Sequence, residues 1–319
     1  MKLTALRHRL EYLAVVAVRA TVHWMPAWLV AACGRALGLA FFAFDRPHRR
    51  LAVANLQAAF PTRSRSECRA LARATFQHFG RLLVELLKFS TLSPDAMAAR
   101  LDVEGRERLE QAHALGRGVL IFSGHFGLWE VQGLAHPIVH KPMSVLVRAL
   151  NNPCLSRLLE DIRTCTGNTV IYRHRAIRQV LRELAANRAV AIMIDQHIHG
   201  SDAVHVSYFD RPAATTSALA TLALRTGAPI IPVFALPMPG GRYRLIYERP
   251  VEPPAPESTD PVRDLTQRCT DVLEMYVRRY PQLWLWMHRR WRVDVDNEGV
   301  GGMFPAADWT DVPTDEDNT

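Results

Sequence analysis

Lysine is nearly missing from this chain of 319 residues: only Lys2, Lys88 and Lys141 occur, so 36 of its 39 cationic side chains are arginine. GC-rich coding produces that bias by itself, yet a planar guanidinium fork still suits phosphate better than an ammonium does. Cysteine is sparse as well. Cys33, Cys68, Cys154, Cys165 and Cys269 are odd in number and scattered, with no CxxC pair and no zinc-type Cys/His spacing. That excludes a disulfide-built secreted scaffold and a structural zinc module, and points to reduced thiols in the cytosol or on the cytosolic side of a membrane. The third absence is local: from Asp294 to Thr319 there are eight acids and no Lys or Arg. The few apolar residues of this tail do not offset the entropy of ordering it, and it is expected to be disordered. Residues 1–293 then carry 39 cations against 23 acids, a net +16 in a chain whose overall charge is +8. A field of that sign favours an anionic partner, whether a phospholipid surface, a nucleic acid, or an acidic carrier or substrate.

What is present is ample apolar material, 49% hydrophobic against 22% charged, which excludes a disordered or collagen-like chain. Residues 10–45 are strongly apolar, but Arg19, His23, Pro26 and Arg35 leave no clean run long enough for an ordinary transmembrane span. The length and the embedded arginines also fit a cleaved signal poorly. The pattern predicts two helices hinged near Pro26. The second would span or lie in a bilayer, with Trp24 and Trp28 at the interface and Arg46, Arg49 and Arg50 beside headgroups. A buried core hairpin is the alternative. The expected organisation is therefore membrane-anchoring helices over 1–45, a folded domain over 46–293 and the acidic tail over 294–319.

From Arg49 to Ala114 apolar residues recur at three- and four-residue intervals, a helical pattern. The period then changes. Residues 118–124, 143–148, 168–172, 189–195, 203–209, 228–236 and 242–248 are short β-rich runs bounded by Gly, Pro or Asp. Helical patterns at 152–166, 174–187 and 214–226 separate them. The alternation predicts an α/β fold, a central, mostly parallel sheet flanked by helices. A proline-rich connector (251–261), a helix near 262–280 and the aromatic-basic segment PQLWLWMHRRWR (281–292) follow. That last segment suits single-stranded nucleic acid, a bilayer interface or a core-packed helix.

Chemistry in such sheets is usually placed at the carboxyl ends of the strands, and the run GVLIFSG leads directly into HFGLWEVQG. His125 therefore stands at a strand end, with Glu130 five residues on. On one continuous helix that spacing separates the side chains by about 140°. They meet only if His125 lies in a turn and Glu130 in the first turn of the next helix, a geometry that Gly124 and Gly127 allow. An imidazole oriented by a carboxylate is suited to take a proton from an alcohol attacking a carbonyl. A capping histidine and a solvated glutamate are the plainer reading of the same two residues.

Beyond these residues the chain resembles the late acyltransferases of lipid A biosynthesis, the lauroyl and myristoyl transferases with an HX4D/E motif. The likeness runs from about residue 10 to 292. It rests on RRLAVANLQAAFP (49–61), GVLIFSGHFGLWE (118–130), RALNNP followed by Arg163 and Gly167, AIMIDQ, YFDRPAATTSALATLALRTGAPIIPV, and PQLWLWMHRRWR, all in family order. The resemblance implies a glycerolipid-acyltransferase-like fold. It further implies transfer of a fatty acyl chain from an acyl carrier protein or coenzyme A thioester to a hydroxyl of a lipid A precursor or related glycolipid, at the cytoplasmic face of a bacterial inner membrane. No metal or cofactor beyond the acyl thioester is implied. In this reading His125 is the general base, Glu130 its partner, and the acceptor oxygen attacks the thioester directly, without an acyl-enzyme.

Arg163 matches an arginine of the family pattern, and Arg148 ends the second strand; either is a candidate for binding phosphate or an oxyanion. Asp195 ends the run AVAIMID at the family's acidic position and competes with Glu130 as the partner of His125. His136, His140, His197, His199 and His205 are read as loop histidines rather than ligands. The His197–His199 pair has no spacing that completes a metal site. The segment 281–292 is expected to be a structural helix with its arginines near the acceptor's phosphates. Two departures from the family pattern stand out: Leu128 where Asn is common, and Asp210 where Gly is usual. The first would alter what the acceptor end of the pocket recognises. The alternatives are a lysophospholipid or aminolipid acyltransferase with the same site and, from a different class, a non-catalytic basic protein binding membrane or nucleic acid.

Overall fold

A computed structural model describes residues 2–172, 176–200 and 202–291; the acidic tail lies outside the described residues. The chain opens with α1 (Lys2–Trp24) and α2 (Ala27–Phe44), separated at Pro26 as the sequence predicts. Proline has no N–H to continue α1 and a fixed φ suited to starting α2. α3 (Arg46–Ala59) begins at Asp45, whose carboxylate accepts from the His48 N–H at 3.2 Å. α4 (Arg65–Phe89) starts with a capping box in which Ser64 and Glu67 satisfy each other's backbone N–H groups. α5 (Pro94–Ala98), β1 (Leu101–Glu104) and α6 (Arg106–Ala114) lead to the central strand β2 (Val119–Ser123).

Strands and helices then alternate: α7 (Trp129–Val139), β3 (Met143–Val147), α8 (Pro153–Thr164), β4 (Thr169–Tyr172), α9 (Ala176–Ala185) and β5 (Ala189–Met193). β6 (Ala203–Tyr208) and β7 (Arg211–Thr216) form a hairpin apart from the main sheet. α10 (Ala218–Thr226), β8 (Ile230–Pro237), β9 (Tyr243–Tyr247) and α11 (Pro261–Arg279) complete the fold. The seven-stranded sheet has the order β1-β9-β8-β2-β5-β3-β4, and its single antiparallel pairing is β8 with β9.

Both faces of this sheet are covered, and β2 shows why its sequence is apolar without alternation. Leu120 and Phe122 face a core built with α9, α10, α11 and the first half of α4, while Val119 and Ile121 face one built with α6, α7 and the second half of α4. The chain runs from β2 to β3 on one side and reaches β8 on the other, so the carboxyl ends of β2 and β5 flank the crevice where the topology diverges.

Four expectations need correction. β1 interrupts the stretch read as helical to Ala114, because four residues on an edge give too short a period to see. The helix expected over 214–226 begins only at Ala218; before it, β7 pairs with β6 across a turn whose Phe209 and Asp210 have φ of 53° and 57°. β6 therefore leaves the main sheet. Segment 281–292, described as far as residue 291, is no helix there beyond a short 3-10 turn at Pro281–Leu283; an isolated bridge joins Trp284 to Phe126.

Candidate active site

β2 and β5 are parallel neighbours with Ser123 opposite Met193, so two residues further on each chain His125 and Asp195 come face to face. The carboxylate is bidentate toward the histidine: Oδ2 accepts the His125 backbone N–H at 2.7 Å and Oδ1 meets Nδ1 at 2.8 Å. Trp284, wholly buried, donates its indole N–H to the same Oδ2 at 2.8 Å. Asp195 is 3% exposed while the His125 side chain keeps 20%. With Nδ1 engaged, Nε2 is the nitrogen left for a substrate, and the Gln196 amide lies 3.5 Å from it.

The turn between β2 and α7 is fixed by its backbone. Gly127 donates to the Leu283 carbonyl at 2.8 Å, Leu128 to Ala235 at 2.9 Å, and Leu285 to the carbonyl of His125 at 3.0 Å. The carbonyl of Gly127 accepts from buried His78 at 2.9 Å. Gly127 has φ +59°, and a Cβ there would lie 2.1 Å from the Ala235 oxygen, so no other residue fits this turn. The aromatic segment after α11 thus serves as a clamp on the turn that carries His125.

Electrostatics follow from burial and pairing. Burial presses His125 toward the neutral form, but the charge and hydrogen bond of Asp195, joined by the charge of Glu130, hold it above the ordinary histidine value. Burial likewise pushes the Asp195 carboxyl up, and His125 and Trp284 more than reverse that, leaving it below the ordinary carboxylate range. The pair is therefore a carboxylate holding an imidazole that gains protons readily.

The His125–Glu130 pairing expected from the HX4E spacing is not what the structure forms. Glu130 lies in the first turn of α7 and is gripped by Arg163 in the last turn of α8, Nε to Oε2 at 3.0 Å and Nη2 to Oε1. Arg163 is committed to this fork, while Arg148 is exposed beyond β3 with no partner among the described residues. Glu130 reaches His125 through its charge alone among these contacts. Trp129, next to it, packs edge-on against the imidazole at 5.2 Å.

Other expectations are redistributed. Arg290 does not face solvent or ligand: it is 1% exposed and donates to the Ala214 carbonyl at 2.6 Å and to Thr215 Oγ1, joining β7 to the clamp. His136 is a core residue, 1% exposed, on Tyr247 Oη at 2.9 Å. Leu128 is fully buried against the α7 side of the core, so its departure from the family pattern alters packing rather than a pocket wall. Asp210 occupies a left-handed turn position that Gly fills at no cost and Asp tolerates. Among the described residues no cluster of His, Cys, Asp or Glu could hold a metal ion. In the sequence Trp284 stands only as part of the aromatic-basic segment and His78 gives no functional signal, because each acts through a partner far away in the chain.

Residues 1–293 match the family model described as bacterial lipid A biosynthesis acyltransferase. A lipid A biosynthesis lauroyltransferase of Escherichia coli is 25% identical over 286 residues, covering 88% of this chain and 90% of that one. A phosphatidylinositol mannoside acyltransferase of Mycolicibacterium smegmatis is 25% identical over 232 residues, covering 72% and 74% respectively. Among solved structures, the 1-acyl-sn-glycerophosphate acyltransferase of Thermotoga maritima aligns with 80% of this chain and 97% of its own at 14% identity and a TM-score of 0.36. With a family model that spans all but the acidic tail, the chain belongs to the bacterial lipid A biosynthesis acyltransferases and is an acyltransferase.

Proposed function

We propose that this acyltransferase moves a fatty acyl chain from the thioester of an acyl carrier protein or coenzyme A to a hydroxyl of a lipid A precursor or a related membrane glycolipid, with His125 as general base. The observation that carries the reading is the His125–Asp195 pair at the adjoining ends of β2 and β5, with Nδ1 held by the carboxylate and Nε2 left outside that contact. In the step, Nε2 takes the proton of the acceptor hydroxyl as its oxygen bonds to the thioester carbon. The tetrahedral intermediate then breaks its C–S bond, and the imidazolium returns the proton to the departing thiolate. Asp195 holds the tautomer that presents a free Nε2 lone pair and stabilises the imidazolium between the two transfers. A thioester is already activated, so one positioned base supplying about 10² to 10⁴ in rate, with alignment of two bound substrates, is a sufficient division of labour.

Glu130 and Arg163 act together in this reading: the bidentate fork ties α7 to α8 beside the catalytic turn and adds negative charge near the imidazole. That assigns Glu130 a supporting place and gives the direct contact to Asp195. The named glycolipid substrate of the mycobacterial relative supports an acceptor class wider than lipid A. α2, with a mean hydropathy of 1.7 over 18 residues, supports seating at a membrane, and the proposed place is the cytoplasmic face of a bacterial inner membrane.

Mass spectrometry of lipids from cells that contain an under-acylated lipid A precursor, expressing wild type or His125→Ala, tests the proposal. A mass gain of one acyl chain only with wild type supports it and reads the chain length. A His125-dependent acylated phospholipid or aminolipid instead would move the acceptor to the alternative class, and no His125-dependent product would overturn the mechanism.

A further inference from the structure

At Gly34, Gly38 and Gly80 the backbones of α2 and α4 meet with no side chain between them. A Cβ on Gly38 would lie 2.0 Å from the Phe76 carbonyl oxygen, and one on Gly80 2.3 Å from that of Gly34. Arg35 and Arg81, each next in sequence to one of these glycines, consequently line one cavity of about 420 Å³, together with Trp28 and the 237–241 turn that joins β8 to β9. Arg81 spends its Nε on Glu85, and its two Nη groups make no hydrogen bond among the described residues. Arg35 makes none at all there. It is an exposed charge in the middle of the most apolar helix of the chain, a costly placement wherever lipid surrounds it.

Behind the close contact of Ala27 with Gly241 lies a second niche, lined by Glu85, Lys88 and Arg100. Arg100 Nη1 is buried there without a partner. Glu85 pairs with Arg81 and feels the charge of Arg35, while Lys88, which donates to the His23 carbonyl, and Arg100 line the niche beside it. Trp28, which lines the cavity, is 70% exposed, and Trp24 at the end of the preceding helix is 85% exposed. Indole rings on a surface beside arginines are the arrangement found where a protein meets the headgroup layer of a bilayer. No residue of this cavity belongs to the His125 site.

We propose that the cavity between α2, α4 and the β8–β9 turn binds the phosphate of a membrane-lipid headgroup, held between the guanidinium groups of Arg35 and Arg81. Two planar forks match the tetrahedral oxygens of a phosphate, and the volume admits a phosphodiester headgroup. The lipid's chains then run along the outer face of α2 past Trp28. The occupied site fixes the depth and tilt of the protein at the bilayer, a role separate from that of the acyl acceptor.

The test is cosedimentation of the full chain with vesicles of phosphatidylcholine alone and of phosphatidylcholine with phosphatidylglycerol. Wild type is compared with Arg35→Gln and with Arg225→Gln, which removes the same charge from the exposed end of α10. The expected result is a gain in binding from phosphatidylglycerol that Arg35→Gln lowers about five-fold, the worth of one guanidinium at a lipid surface, and that Arg225→Gln leaves within two-fold, roughly the scatter of a diffuse charge effect. Equal losses in the two variants would overturn the site in favour of net charge. Glycerol phosphate supplies the second arm at constant ionic strength: if it saturates the site as tightly as the lipid does, the ligand is a soluble phosphate and the lipid assignment fails. Unchanged circular dichroism of Arg35→Gln separates loss of the site from loss of the fold.

Discussion

The two ends of the central sheet both bury histidines, in opposite electrical settings. At the carboxyl end His125 faces Asp195 at 2.8 Å and is held above the ordinary histidine value. At the amino end His113, His136 and His140 gather where α6 and α7 run into β2 and β3. The rings of His113 and His140 stack at 4.8 Å, and His136 lies 6.1 Å from His140. Their nearest charged groups are Lys141, Arg106 and Glu110, and burial dominates: His136 is pushed down to about 3 and His140 to about 4. Burial acts in the same direction at both ends. A carboxylate in contact reverses its effect at one end only, and under the proposed mechanism that contact is what suits His125 to act as the base.

The most severe way to break that contrast is Asp195→Asn, which makes the setting of His125 resemble that of His136. The imidazole loses its counter-charge and the acceptor that holds its tautomer, and kcat is expected to fall about 10² to 10⁴-fold with the fold intact. Single-turnover acyl transfer measures it, and activity within tenfold of wild type, about the least effect such a base predicts, would remove Asp195 from the mechanism.

A smaller perturbation is Trp284→Phe, which takes one donor from Asp195 Oδ2 while keeping the ring. With less of its charge satisfied, Asp195 holds the His125 proton more tightly. Since the base works unprotonated, the acid limb of kcat/KM moves to higher pH, with a loss of roughly tenfold in rate near neutrality. A pH–rate profile is the check. An unmoved limb would mean that Trp284 only fills space.

The smallest effect belongs to the amino end. His140→Phe keeps a ring stacked on His113 and removes one proton site. The folded values of these histidines lie below the free value, so the unfolded chain binds protons first as pH falls. Stability is complete above about pH 6.5 and is lost toward about pH 4. The variant is expected to flatten this loss, read as urea midpoints that change less with pH than those of wild type. Activity near neutral pH should be unaltered, in contrast to both carboxyl-end variants.

Much of the fold was legible because its signals are local. Pro26 separates two helices in the apolar N-terminal stretch. Continuous apolar runs at 119–123 and 189–193 mark strands buried on both faces. β7 was illegible because RPAATT contains a proline and small residues and is extended only by pairing with β6. The aromatic segment misled for a related reason. Spacing of Trp and Leu permits a helix, and its extended course past Phe126 is set by backbone bonds to a turn more than 150 residues earlier.

The sequence by itself determined the α/β alternation and the placement of His125 at a strand end, since each follows from residue periodicity and short-range turn chemistry, and it offered two acids, Glu130 and Asp195, as partners. Which acid pairs with His125 was decided only in three dimensions. Glu130 is five residues away but begins a helix whose neighbour α8 supplies Arg163, whereas Asp195 is seventy residues away and adjoins His125 because β2 and β5 pair in parallel. Sequence distance limits contact along a helix turn; sheet register brings together residues from any distance, and only the folded register says which.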